Sequence, residues 1–148
     1  MASKNQEELR RLSVEVRLLE QTAETIQSRL NMINAVMADL SYANMTIEGL
    51  EKEQEHAELL VPIGANSHIR AGLVNPDKII VGIGAGVSME KTRQEAKDII
   101  KNRLESTDKA RLSLQQQLSQ VAEKITEDRE KFDTLIAEAR GEQPAGNV

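Results

Sequence analysis

From Leu9 to Ile47 apolar residues recur at spacings that alternate between 3 and 4, with Asn44 as the one polar member of the series. The series is Leu9, Leu12, Val16, Leu19, Ala23, Ile26, Leu30, Ile33, Met37, Leu40, Asn44, Ile47, and no Gly or Pro breaks the chain before Gly49. A 3.5-residue repeat held this long predicts a coiled-coil seam, because only a gently supercoiled helix keeps such a stripe against a partner. Leu9, Val16, Ala23, Leu30, Met37 and Asn44 take the a positions and the rest take d. Ser3 and Gln6 have the spacing of a capping box. A helix over 4–57 is expected, about 80 Å long at 1.5 Å per residue.

The same periodicity returns after a second capping box, Thr92-Arg93-Gln94-Glu95. Its seam reads Ile100, Leu104, Thr107, Arg111, Leu114, Leu118, Val121, Ile125, Asp128, Phe132, Leu135, Ala139. Gly141 suits the position just past a helix end. This predicts a second helix over 92–140, about 70 Å long, and a disordered tail over 141–148 containing Pro144 and Gly146.

Between the helices the period changes to two. Ile69, Ala71 and Leu73 alternate with His68, Arg70 and Gly72, and Ile79, Val81 and Ile83 alternate with Ile80 and Gly82. Five of the eight glycines lie between Leu59 and Met89. Turn residues fall at Gly64-Ala65-Asn66-Ser67, Asn75-Pro76-Asp77 and Gly84-Ala85-Gly86. Alternation bounded by turns predicts two β-hairpins within 58–90.

Composition narrows the class. Aromatic residues make up 1% of the 148-residue chain, Tyr42 and Phe132 being the whole supply. A compact catalytic domain fills its core and pocket with such rings, so an enzyme is not expected. The absence of Cys excludes disulfides, thiol nucleophiles and thiolate metal sites. Two histidines give no metal cluster. A net charge of −5 provides no field to draw the chain onto nucleic acid or an anionic membrane. The residues from Met1 to Arg11 carry no apolar signal stretch, and Ile79–Val87 falls short of the roughly 20 residues of a membrane span. A soluble, cytoplasmic chain without cofactors or metals is expected.

Two helices of similar length joined through a β unit can fold back seam against seam. Leu12 then lies opposite Leu135, Ile26 opposite Val121, Ile33 opposite Leu114 and Ile47 opposite Ile100. The expected fold is mainly α with a small β insert: an antiparallel two-helix coiled coil joined by two β-hairpins. Four short strands cannot bury an apolar face alone and leave edges open to pairing, so an oligomer is expected. The residues assigned to oligomerisation are Val61, Ile63, Ile69, Ala71 and Leu73 in the first hairpin. In the second they are Ile79, Val81, Ile83 and Val87.

Leu60-Val61-Pro62-Ile63-Gly64-Ala65 followed by Ile69-Arg70-Ala71, then Val81-Gly82-Ile83-Gly84-Ala85-Gly86, then Glu90-Lys91-Thr92 leading to Glu95-Ala96, resembles the archaeal-type prefoldin α-class subunit. That class carries two hairpins where the β class carries one. The resemblance spans about residues 5 to 140, and its specific part is the insert. It implies a hexamer of two α-class and four β-class subunits, with the hairpins forming a β-barrel body. It also implies an ATP-independent chaperone that captures unfolded polypeptides and passes them to a group II chaperonin.

The ends of the coiled coil are the candidate client-binding surface, since nothing packs beyond the last seam layer and it opens at little cost. There lie Leu9, Leu12, Val16, Phe132, Leu135, Ile136 and Ala139. Phe132 and Ile136 are the residues most expected to be exposed. Weak contacts from several arms gain avidity without any strong single site. Two other readings compete. One is a homo-oligomeric prefoldin-like filament or scaffold with no client transfer; the other is an enzyme using Gly82-Ile83-Gly84-Ala85-Gly86 to bind phosphate. The glycine run lacks the third fingerprint glycine, where Val87 stands, and has no following Gly-Lys-Ser/Thr. A hairpin turn is its simpler explanation. Asn44, Thr107, Arg111 and Asp128 break the seam and are read as register-fixing polar layers.

Overall fold

The computed structural model describes residues 2–141. The order is α1 (Ala2–Leu50), β1 (Glu58–Gly64), β2 (Ser67–Gly72), β3 (Lys78–Gly84), β4 (Val87–Thr92) and α2 (Arg93–Ala139). The chain divides into two compact units. Among the described residues, one comprises 2–34 with 109–141, where the N-terminal part of α1 meets the C-terminal part of α2. The other comprises Ala35–Asp108, where the opposite ends of the two helices meet around the hairpins. The helices therefore run antiparallel.

α1 has 49 residues and α2 has 47, about 74 and 70 Å at the helical rise. α1 begins at Ala2, which puts Ser3 inside the first turn instead of at the cap; Ala2 and Lys4 are good helix formers that carry the helix past it. It ends at Leu50, seven residues before Ala57. Glu51-Lys52-Glu53-Gln54-Glu55-His56 offers no apolar residue to a seam, and the amides of Lys52 and Glu53 bond back three residues, to the carbonyls of Gly49 and Leu50. That tighter pattern closes a last turn. His56 then takes φ 66°, and its amide reaches the Leu73 carbonyl while Leu73 N donates to the Ala57 carbonyl. The chain thus leaves the helix directly into the first hairpin.

The second capping box is formed as its spacing predicts. Glu95 N donates to Thr92 Oγ1 at 3.1 Å, and Thr92 N donates to Glu95 Oε2 at 3.2 Å. Two of the four orphan amides at the start of α2 are satisfied reciprocally. At its far end Gly141, with φ 69°, lies two residues past Ala139. The proposed tail beyond it lies outside the described residues.

The strands form two separate antiparallel pairs, β1 with β2 and β3 with β4. Each turns through two residues of positive φ, Ala65-Asn66 and Ala85-Gly86, the backbone of a hairpin turn whose twist matches its strands. The register shift at Gly64 and Gly84 places each glycine, at φ 105° and 117°, beside the turn.

In the hairpin unit the core is Ile47, Val81, Ala96 and Ile100, with Leu40, Ala43, Ile79, Ile99 and Leu104 packed around it. Ile47 and Ile100, expected to face each other, share this cluster. In the other unit the buried apolar residues are Leu12, Ile26 and Leu30, all members of the α1 seam.

Candidate functional site

Two apolar surfaces stand out. The first is on the hairpins. Val61 lies directly across from Ile69 in the β1–β2 register, so the two side chains share a face. Both are exposed, as are Ile63, Ile83 and Val87. Ala71, Leu73 and Ile79 are half-buried. Val81 differs from expectation: only 5% exposed, it packs into its own chain's core and is not available to another subunit. The reason lies in the neighbouring helices, since Val81 faces Ile47 and Ile100 while Ile80, one residue earlier, turns outward at 76% exposure. Arg103 Nη2 donates to the Gly82 carbonyl and holds β3 against α2 in this orientation. The exposed Leu60, Ile80 and Met89 extend the uncovered surface beyond the residues singled out by alternation. Leu60 and Ile80 belong to the second apolar phase of β1 and β3, and Met89 follows Val87 in the alternation of β4.

The glycine run Gly82–Gly86 joins β3 to β4, strand to strand. A phosphate cradle needs the turn to open a helix whose N-terminal amides face the ligand. The geometry is that of a hairpin.

The second surface is the end of the unit where α1 starts and α2 finishes. Leu12 is buried, Leu9, Val16, Phe132, Leu135 and Ile136 are half-buried, and Ala139 is exposed. Phe132 and Ile136 share the half-buried class with Leu135. Val16 and Phe132 line an open groove with Ser13, Arg17, Glu20 and Arg129, and Arg129 is ion-paired to Glu20 across the helices. A neighbouring groove is lined by Glu8, Glu127, Glu130, Lys131, Thr134 and Leu135. Both are shallow troughs with apolar floors and charged rims. Val14 and Leu18 are exposed on the outer side of α1, positions the seam pattern did not flag.

Of the polar seam residues, Asn44 is half-buried and its Nδ2 donates to Glu48 Oε1 at 3.4 Å on its own helix. Thr107 and Arg111 are half-buried. Asp128 is fully buried. Its Oδ1 accepts from Lys124 Nζ at 2.7 Å, and Lys124 also reaches Glu15 Oε1 on α1 at 3.7 Å. Lys124 has its pKa raised, first by that hydrogen bond, against an opposing desolvation effect, with the charges of Asp128, Glu15 and Glu127 adding to the rise. Among the described residues no three His, Cys, Asp or Glu side chains are grouped to hold a metal ion. No helix among them is long and apolar enough to cross a membrane.

A family model described as prefoldin subunit matches residues 19–138. The chain belongs to the prefoldin family. Among its relatives, prefoldin subunit alpha of Methanococcoides burtonii is 31% identical over 84% of this chain and 91% of its own length. The prefoldin alpha subunits of Pyrococcus horikoshii and Methanopyrus kandleri are 32% and 34% identical over 84% and 76% of the chain, and over 85% and 72% of their own lengths. These relatives place it in the α class of prefoldin subunits, in keeping with its two hairpins. A filamentous prefoldin from Methanocaldococcus jannaschii has the same fold, with a TM-score of 0.67 at 25% identity over 76% of this chain and 93% of that one. A chaperone role in protein folding, and association with other prefoldin subunits, come with the family.

Proposed function

We propose that this prefoldin subunit is part of an ATP-independent holdase that captures unfolded polypeptides at the coiled-coil tips and delivers them to a group II chaperonin. In this reading segment 58–90 assembles into a β-barrel body with β-class subunits, two α to four β. The observation that carries the reading is the uncovered hairpin face. Val61, Ile63, Ile69 and Ile80 are exposed, and each two-stranded sheet leaves an open edge on both of its strands. Such a hairpin is marginal alone in water and gains stability when a neighbour covers it. The tip grooves supply the client surface: apolar floors at Val16, Phe132 and Leu135 with charged rims suit weak, sequence-tolerant contact with an unfolded chain.

The test has two parts. Native mass spectrometry of the chain captured from its host is expected to give a closed particle of two copies with four of a smaller coiled-coil protein. A ladder of this chain alone would replace the proposal with the filament or scaffold reading. Deleting the residues up to Val16 and those after Ile125 is expected to preserve the particle and reduce aggregation suppression. Full activity in that truncation would remove the tips from the mechanism.

A further inference from the structure

Asp128 is the one buried polar or charged side chain among the described residues, with a relative exposure of 0%. Its Oδ1 is bound to Lys124, but its Oδ2 is buried with no hydrogen-bond partner. A carboxylate oxygen enclosed without a donor opposes the closed state that encloses it, and is relieved as soon as water reaches it. The other groups facing this cluster are Glu15 on α1 and Glu127 on α2, both acidic. The single cation Lys124 thus serves a carboxylate on each helix.

The position of this layer is as informative as its chemistry. On α2 every candidate client-binding residue, from Phe132 to Ala139, lies beyond Asp128. On α1 every candidate lies at or before Val16, next to Glu15. The polar layer therefore separates the candidate tip from the apolar seam at Ile26 and Leu30, both buried.

We propose that the buried Asp128 layer is an opening device: by penalising the closed coiled coil at this one level, it sets how often the tip beyond it splays and presents its apolar residues. The statement about opening stands on the geometry alone. Its use in capturing unfolded protein rests on the function proposed above.

Hydrogen exchange of the chain, purified from its host in its native assembly, tests it. Asp128→Leu fills the same seam position with an apolar side chain. It is expected to slow exchange of amides in 5–20 and 128–139 about tenfold or more, leaving those around Ile47 and Ile100 unchanged. Asp128→Asn keeps a buried polar group and is expected to retain fast tip exchange. Lys124→Met leaves the carboxylate wholly unpaired and is expected to speed it. Unchanged or faster tip exchange in Asp128→Leu would overturn the inference, the latter by showing that the layer holds the tip shut. Suppression of aggregation of guanidine-denatured citrate synthase, read on the same samples, is expected to weaken as exchange slows. Slower exchange with undiminished suppression would uphold the opening device and overturn the tip as the client site.

Discussion

Val61 and Ile69 stand opposite each other across β1 and β2, and both are exposed. A charge at either position would leave the folded hairpin's backbone bonds intact while placing an ion wherever a neighbouring subunit packs on that face. Val61→Lys or Ile69→Glu is expected to dissociate the assembly while helical content is retained. Size-exclusion chromatography with light scattering, paired with circular dichroism, reads both. An unaltered particle would show that this face is not in the interface.

Ile100 lies in the cluster with Ile47, Val81 and Ala96. Ile100→Ala removes buried methylenes and leaves a cavity between two helices and a strand, at a cost of about 2–5 kcal/mol. Chemical denaturation is expected to show the loss, with exchange accelerating in β3 and around Ile47 and less at the far ends of the helices.

The reciprocal bonds between Thr92 and Glu95 are the entry signal of α2. Thr92→Ala removes the side-chain acceptor and is expected to cost about 1 kcal/mol. Thr92→Ser, which keeps the oxygen, is expected to restore most of the loss in the same melt.

Lys124 bears on pH. Its folded pKa lies above the ordinary 10.5 because the charged ammonium donates to Asp128 and sits near Glu15. A group raised on folding stabilises fully below its unfolded pKa, and the contribution disappears as pH rises through the folded value. The gap in melting temperature between wild type and Lys124→Met is therefore expected to be constant up to about pH 9 and to narrow above about pH 10.5. A gap that persists at high pH would mean that the side chain acts through packing alone.

Much of this architecture is legible in the residues, for identifiable reasons. The alternation of 3 and 4 from Leu9 to Ile47 admits one regular structure, and Thr92 to Glu95 marks a helix start by a spacing that only a helical turn satisfies. The end of α1 is less legible, since Glu51 to Glu55 are residues that helices tolerate; what stops it is the loss of anything to pack. Alternation in β3 separates Val81 from Ile80 but is silent on which side the helices cover, so Val81 reads as a contact for others when it serves its own core. Asp128 is recognisable as a break in the seam. That one of its oxygens is left without a donor depends on where Lys124 points, and spacing does not encode that.

The ion pair between Glu20 and Arg129 joins residues 109 positions apart. On a ribosome adding about 5–20 residues per second, Glu20 waits on the order of 5–20 s for its partner. The hairpins close within a few residues of being made, while the early seam at Leu12 and Ile26 waits uncovered until the second helix has emerged. A chain from a family that shields unfolded proteins thus passes through its own synthesis with an apolar stripe exposed, and the end of α1 made first is the last to be paired.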